Sequence, residues 1–354
     1  MSDPIRTDPA GLEAWLREED PDRLEILWAE ADRVRRETVG DEVHLRGLVE
    51  ISNVCVRRCA YCGLAASNRD LERYRMPREE ILDCARLAVA YGYGTLVVQA
   101  GEDYGLTAEW IADIVRTVKA ETPLAVTLSL GERPEEELAR WREAGADRYL
   151  LRFETSDPAL YRAIHPDHGG VVSDRMAILR TLRRLGYEAG SGVMIGIPGQ
   201  SYATLARDID AFRDLDLDMV GVGPYLAHPG TPLGSGDLRP EVSPGEQVPA
   251  TEAMTYKVVA LTRLVCPEAN LPSTTALATV NRESGRELGL RRGANVVMPN
   301  LTPVTYRALY EIYPAKVCID ETAEACRACL TGRILSVGRR PGTGPGFRAG
   351  RNQG

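Results

Sequence analysis

Apolar residues return along this chain with two different periods, and the alternation between them outlines a fold. From Gly11 to Glu19 and from Asp22 to Thr38, Leu, Trp, Ile and Val recur every three or four residues among Glu and Arg, which predicts two amphipathic helices. From Val43 onward short β-rich runs take turns with helical ones. Strands are predicted at Val43–Ser52, Thr95–Ala100, Leu124–Leu130, Arg148–Glu154, Glu188–Gly196, Met219–Tyr225, Pro272–Ala276 and Asn295–Asn300. Helical patterns fill the gaps at Arg78–Tyr91, Thr107–Ala120, Pro134–Glu143, Asp174–Leu185, Tyr202–Leu215, Gly245–Leu264, Arg282–Arg291 and Thr305–Tyr310. Such a succession of βα units predicts an α/β fold, a parallel sheet closed into a (β/α)8 TIM barrel over residues 43–312, with an N-terminal helical cap over residues 1–42.

Alternation inside the strands says which side chains point inward, because period two sends neighbours to opposite faces. In the first strand His44, Arg46, Leu48, Glu50 and Ser52 share a face; in the fourth, Arg148, Leu150, Arg152 and Glu154 do; in the third, Thr127 and Ser129. Placing these inside predicts a polar lumen, whose charges must pair or meet a polar ligand. The opposite assignment would send them to solvent, which a parallel sheet covered on both faces disfavours.

Composition narrows the class. With 44% hydrophobic and 27% charged residues in 354, the chain is globular, and 43 Lys and Arg against 51 Asp and Glu leave a net charge of −8, the wrong sign for gripping a phosphate backbone. No run of about 18 apolar residues is present, and the first residues lack the basic and apolar regions of a signal peptide. A soluble, cytoplasmic protein with no nucleic-acid or membrane partner is expected. The last stretch, residues 338–354, is rich in Gly and Arg and offers little to bury, so a flexible tail is expected there.

Eight cysteines are too few for a disulfide-stapled scaffold, and six of them fall in two triplets. Cys55, Cys59 and Cys62 follow the first strand with C-x3-C-x2-C spacing, at the end where barrel enzymes build active sites. Three thiolates on one loop can hold three irons of a 4Fe–4S cube and leave the fourth iron open to a small molecule. A closed zinc site needs a fourth ligand, and no His or Cys follows before Cys84, which lies in a predicted helix. The second triplet, Cys318, Cys326 and Cys329, lies in a C-terminal extension over residues 313–337. It is a candidate for an auxiliary iron–sulfur cluster, or for a surface metal or redox site with no catalytic role.

The first triplet, with Tyr61 just before its last cysteine, resembles the signature of the radical S-adenosylmethionine (SAM) superfamily. Gly101-Glu102-Asp103 after the second strand resembles that superfamily's glycine-acid element, and Gly192 to Gln200 its glycine-rich adenine strand. Within the superfamily, ISNVCVRRCAYCGL, RYRM, VTLSLGE, DMVGVGP, HPGTPL, GANVVMPN and the second triplet together resemble the FeFe-hydrogenase maturase family HydE. The resemblance implies a 4Fe–4S cluster on Cys55, Cys59 and Cys62, with SAM against Tyr61, Gly101, Glu102, Thr127, Arg152, Glu154, Arg175 and Met219. It implies a lower, anion-accepting cavity lined by Arg46, Gln99, Arg148, Thr274, Thr275 and Tyr310. It also implies a small organometallic or amino-acid-derived substrate, a one-electron reductant such as ferredoxin or flavodoxin, and other hydrogenase maturases as partners. Two positions depart from the family pattern: Phe153, where His is common, and Ala100, where Ser is. By parity Phe153 faces the helices, so its change concerns packing. Methylornithine synthase and biotin synthase share the loop and barrel, but biotin synthase needs cysteines inside the lower barrel and no predicted strand carries one. A non-catalytic iron–sulfur scaffold is the reading from a different class.

Overall fold

The protein is described by a computed structural model covering residues 5–170 and 173–350. Its strands in chain order are β1 (Glu42–Ser52), β2 (Thr95–Ala100), β3 (Ala125–Ser129), β4 (Arg148–Leu150), β5 (Glu188–Ser191), β6 (Met194–Ile195), β7 (Met219–Val220), β8 (Gly223–Pro224), β9 (Val296–Val297) and β10 (Arg340–Pro341); all but β6 and β8 form one sheet. All pairings from β1 through β5 to β7 are parallel, and β9 pairs parallel with β1. Single bridges, Met219 to Asn270 and Pro272 to Val296, complete the circuit between β7 and β9. The sheet is thus curled on itself in the manner of a TIM barrel. Above the ring, β6 and β8 pair and prolong β5 and β7. The interruption between β5 and β6 falls at Gly192, where any Cβ would lie 1.8 Å from the Gly221 carbonyl oxygen.

Parity sorts the faces of β1 as expected. Val43, Val49 and Ile51 join the apolar layer under the outer helices, while Leu48 and Glu50 face the interior cavity. Phe153 joins the same layer, its ring tilted against Phe212 of the helix Tyr202–Asp214 with centroids 5.7 Å apart. Several boundaries shift for local reasons. Thr274, read as part of a seventh strand, caps the helix Thr275–Val280 by accepting from Leu277 N, so only residues near 270–272 act as the seventh stave. The helix read from Gly245 begins at Glu252, where Thr251 accepts from Met254 N just beyond Pro249. Helices at Pro158–Ile164 and Ala323–Ser336 were not read from the sequence. The N-terminal pair, Pro9–Arg17 and Pro21–Val39, packs along the barrel's flank on Tyr202–Asp214 and Glu252–Val265, and Lys257 Nζ donates to Leu16 O.

The C-terminal residues depart most from expectation. Residues 338–350 are held in place: β10 pairs with β1, and the chain then crosses the bottom of the barrel, at the N-terminal ends of the strands. There Pro345 O accepts from Arg148 Nη2 and Thr95 Oγ1, and Gly346 O accepts from Arg46 Nη2 and Asn270 Nδ2, all at 3.0 Å. Phe347 lies against the Arg148 guanidinium, 4.4 Å from its ring centroid. What binds this stretch is its carbonyl oxygens, which buried guanidiniums need, rather than apolar side chains. The last four residues of the tail and the first four of the cap lie outside the described residues.

Candidate functional site

At the opposite end, the loop after β1 carries the first cysteine triplet without regular structure, so its shape depends on side chains that satisfy its backbone. Arg73 donates to the carbonyls of Asn53, Leu64, Ala65 and Asn68 at 2.6–2.9 Å. Asn53 ties the loop to Glu72 and Leu309. Gly101 supports it from β2: a Cβ there would lie 2.3 Å from Val54 O, so the glycine permits close approach of the two segments.

Cys55, Cys59 and Cys62 all open onto one cavity of about 350 Å³ that descends into the barrel. Burial raises the thiol pKa of all three, that of Cys59 to about 12, so without a bound cation they stay protonated near neutrality. Arg152 and Glu154 line the same cavity as an ion pair, Arg152 Nη2 to Glu154 Oε2 at 3.3 Å, which lacks hydrogen-bond geometry, and Arg152 Nε is buried without a hydrogen-bond partner among the described residues. The Tyr225 hydroxyl is in the same condition. Unsatisfied groups on a cavity wall mark where a polar ligand belongs.

Behind this wall runs a charge network. Arg57, inside the triplet, pairs with Glu102 at 2.6 Å and Glu132 at 2.9 Å, and Arg175 Nε donates to Glu132 at 2.8 Å. The rest of the Arg175 guanidinium meets Arg152 O and His165 Nε2. Burial alone would raise the Glu132 pKa, but Arg175, Ser173 and Arg57 outweigh it and hold the carboxyl below its usual range. Glu132→Gln, which keeps the shape but removes the charge shared by two buried arginines, should cost about 2–3 kcal/mol in chemical unfolding. An unchanged midpoint would show that the network is dispensable.

Burial, then Arg175, lowers the His165 pKa to about 3, and burial, then Arg46, lowers that of His44 to about 4, from the ordinary 6.5. Both rings are neutral in the fold but become protonated in the unfolded chain below about pH 6.5, so the unfolded state binds more protons there. Stability should therefore fall as pH drops below that value. Urea titrations at about pH 7 and about pH 5 would show a lower midpoint in acid, and His165→Gln should flatten the difference.

Lower in the cavity, Gln99 Nε2 donates to the Tyr310 hydroxyl at 3.1 Å, and Thr274 and Thr275 line the wall. Glu50 is held by Lys316 and by Asn300 at 3.0 Å. Tyr61, Gln99, Glu102, Arg152, Glu154, Arg175, Thr274, Thr275 and Tyr310 therefore line one cavity with the three cysteines. The structure does not bring five of the anticipated residues there. Gly101 backs the loop, and Thr127 is buried with its hydroxyl unpaired. Arg46, Arg148 and Met219 sit below: the Met219 Sδ and Gly346 O engage Arg46, and Glu188 pairs with Arg148. Ala100 lies on the wall, where a hydroxyl is missing. Arg57, Glu132, His165, Glu50 and Lys316 were missed as site residues. Glu132 had a visible signal, an acid directly after the third strand at the same rim as Glu102.

The second triplet borders a separate cavity of about 430 Å³. Ligand atoms of Cys318, Glu321 and Cys326 lie within 4.8 Å of one another, and Cys329 is exposed at the rim. Cys326 donates toward Cys318, which lowers the Cys318 pKa to about 7, while Cys326 holds its proton more tightly. Lys316 borders both cavities. No helix among the described residues is long and apolar enough to cross a membrane.

Residues 49–212 match the family described as the Radical SAM superfamily. The chain is 47% identical over 327 residues to the FeFe hydrogenase maturase subunit HydE of Thermotoga maritima, covering 92% of this chain and 89% of that protein. It is 28% identical over 288 residues to 3-methylornithine synthase of Methanosarcina acetivorans, covering 81% of this chain and 77% of that one. Among solved structures, methylornithine synthase superposes with a TM-score of 0.78 at 24% identity over 95% of this chain and 94% of that one. A crystal structure of the maturase HydG superposes with a TM-score of 0.75 at 19% identity, over 94% of this chain and 72% of that one. These two superpositions speak for the fold alone.

Proposed function

Because the chain belongs to the radical SAM superfamily and, within it, to the family of the FeFe hydrogenase maturase HydE, we propose that it cleaves SAM reductively to act on a precursor of the hydrogenase di-iron subsite. Cys55, Cys59 and Cys62 would hold a 4Fe–4S cluster, with SAM between it and the Arg152–Glu154 wall. The observation that carries this reading is the convergence of three thiols, with no other cysteine or histidine lining the cavity among the described residues, and of a buried guanidinium–carboxylate pair that lacks hydrogen-bond geometry, all on one cavity. Those groups suit a thiophilic cluster and a zwitterionic amino acid. When bound, cluster and SAM supply a one-electron cleavage that yields methionine and a 5′-deoxyadenosyl radical.

The chain's own work is binding, orientation and exclusion of water. Arg152 and Glu154 pair with the charged ends of the ligand, and Tyr61 covers its approach to the loop. Ile312, Tyr313 and Lys316 line the same cavity. Gln99, Tyr310, Thr274 and Thr275 offer neutral hydrogen-bonding groups to a small organometallic or amino-acid-derived substrate held deeper. Electrons would come from a cytoplasmic carrier such as ferredoxin or flavodoxin, with the other maturases as partners in assembly. Cys318, Cys326 and Cys329 would hold an auxiliary cluster.

Anaerobic reconstitution followed by SAM and dithionite should produce 5′-deoxyadenosine. Added to an in vitro hydrogenase maturation lacking only HydE, the loaded protein should restore activity. A bound cluster without SAM cleavage would leave an iron–sulfur scaffold. Cleavage without restoration would leave a radical enzyme of another specificity, such as the methylornithine synthase type.

A further inference from the structure

Glu154 has a backbone its side chain does not favour. Its φ is 65°, and Thr155 N donates to Phe153 O at 2.8 Å, which makes Glu154 the centre of a left-handed γ-turn. Such turns are rare and strained for a side-chain-bearing residue, and they persist only where neighbours over-determine them. The turn's exit is held by one group. Asp208, on the helix Tyr202–Asp214, accepts from Ser156 N at 2.5 Å, Ser156 Oγ at 2.6 Å and Thr155 Oγ1 at 3.4 Å.

Its other oxygen accepts from Gln200 Nε2 at 3.1 Å. That contact fixes which way the Gln200 amide points. With Nε2 turned to Asp208 and to Met194 O, the Gln200 Oε1 accepts from Gly196 N at 2.7 Å. A flipped amide would set oxygen against carboxylate and nitrogen against an N–H. Met194 and Glu154 both face the cavity. Asp208 is fully buried, its hydrogen-bonding partners are neutral donors, and it does not touch the cavity.

We propose that Asp208 is the positioning residue of the SAM pocket, locking the β4 exit that presents Glu154 to the β6 loop that presents Met194, so that both walls are set before SAM binds. The inference rests on the reading of Arg152 and Glu154 as the SAM-binding side. Burial raises the Asp208 pKa to about 6, which its donors oppose, and it remains mostly ionised at neutral pH. A carboxylate accepts from every donor around it. An amide cannot, because one end must donate.

In cluster-loaded protein, Asp208→Asn should leave iron content and the cluster's spectrum without SAM unchanged. SAM affinity, read from the perturbation of the reduced cluster's EPR signal, should weaken about tenfold or more. The rate of 5′-deoxyadenosine formation at saturating SAM should change much less. A SAM affinity within about twofold of the parent overturns the inference. If Asp208→Asn does not fold, Ser156→Ala removes one donor and should still weaken SAM several-fold; no change there overturns it equally. Glu154→Ala separates the two readings. If Glu154→Ala also leaves SAM binding intact, the assignment of the pocket fails; if it weakens binding and Asp208→Asn does not, only the positioning role fails.

Discussion

Replacing Cys59 with alanine should abolish 5′-deoxyadenosine formation and remove the cluster's iron, while the barrel still folds. Cys59 is the most deeply placed of the thiols that the loop brings to the cavity, and its backbone neighbour Ala60 is pinned by Ile164 O at 2.8 Å. Removing its sulfur leaves two ligands on one loop, and two thiolates cannot hold a cube with a vacant iron. Nothing nearby substitutes, because no other cysteine or histidine of the described residues lines that cavity. The sulfur's contribution to folding is small by comparison, since a protonated buried thiol acts as a small apolar group. Cys84→Ala is the matching control: its thiol donates to Leu301 O at 3.4 Å in the outer layer, away from the cavity, and its loss should leave SAM cleavage intact. Residual iron with full SAM cleavage in Cys59→Ala would defeat the assignment of the loop. Equal loss in Cys84→Ala would mean that the effect is one of folding.

How far the chain could be read beforehand follows from which forces act locally. Strand parity was sufficient to turn Glu50, Arg152 and Glu154 inward, because a period of two is a property of the backbone itself. Spacing and position brought Cys55, Cys59 and Cys62 together on one cavity, because they lie close in sequence on a single loop. The seventh strand was misread because Thr274 and Thr275 are β-branched, a strand signal by composition, while the Thr274 hydroxyl spends itself on capping a helix. Glu132, Arg57 and His165 were not legible as a set, since they come from three loops and meet only in space. The γ-turn at Glu154 has no sequence signal at all: glutamate is a poor residue for positive φ, and only Ser156, Thr155 and Asp208 together explain it.

Ending the chain after Arg339 should lower stability by about 3–6 kcal/mol, from two lost hydrogen bonds to buried guanidiniums at about 1.5–3 kcal/mol each. Arg46 is enclosed completely, and among the described residues its hydrogen bonds go to Gly346 O and to the Met219 thioether sulfur. Arg148 keeps Glu188 but loses Pro345 O and the Phe347 ring. Against a typical net stability of about 5–15 kcal/mol the loss is large, and it should appear as a markedly lower urea midpoint at equal iron loading. Two substitutions show whether the acceptors or the side chains matter. Pro345→Ala retains the carbonyl that Arg148 and Thr95 use, and should cost far less than truncation. Arg348→Ala removes ion pairs to the half-exposed Asp216 and to the buried Asp218, which keeps Arg183 at 3.7 Å, and leaves the Pro345 and Gly346 carbonyls in place, so it should cost less than truncation. If truncation proves no worse than Arg348→Ala, the buried arginines find water as good a partner as the tail, and the bottom of the barrel is closed by something other than these carbonyls.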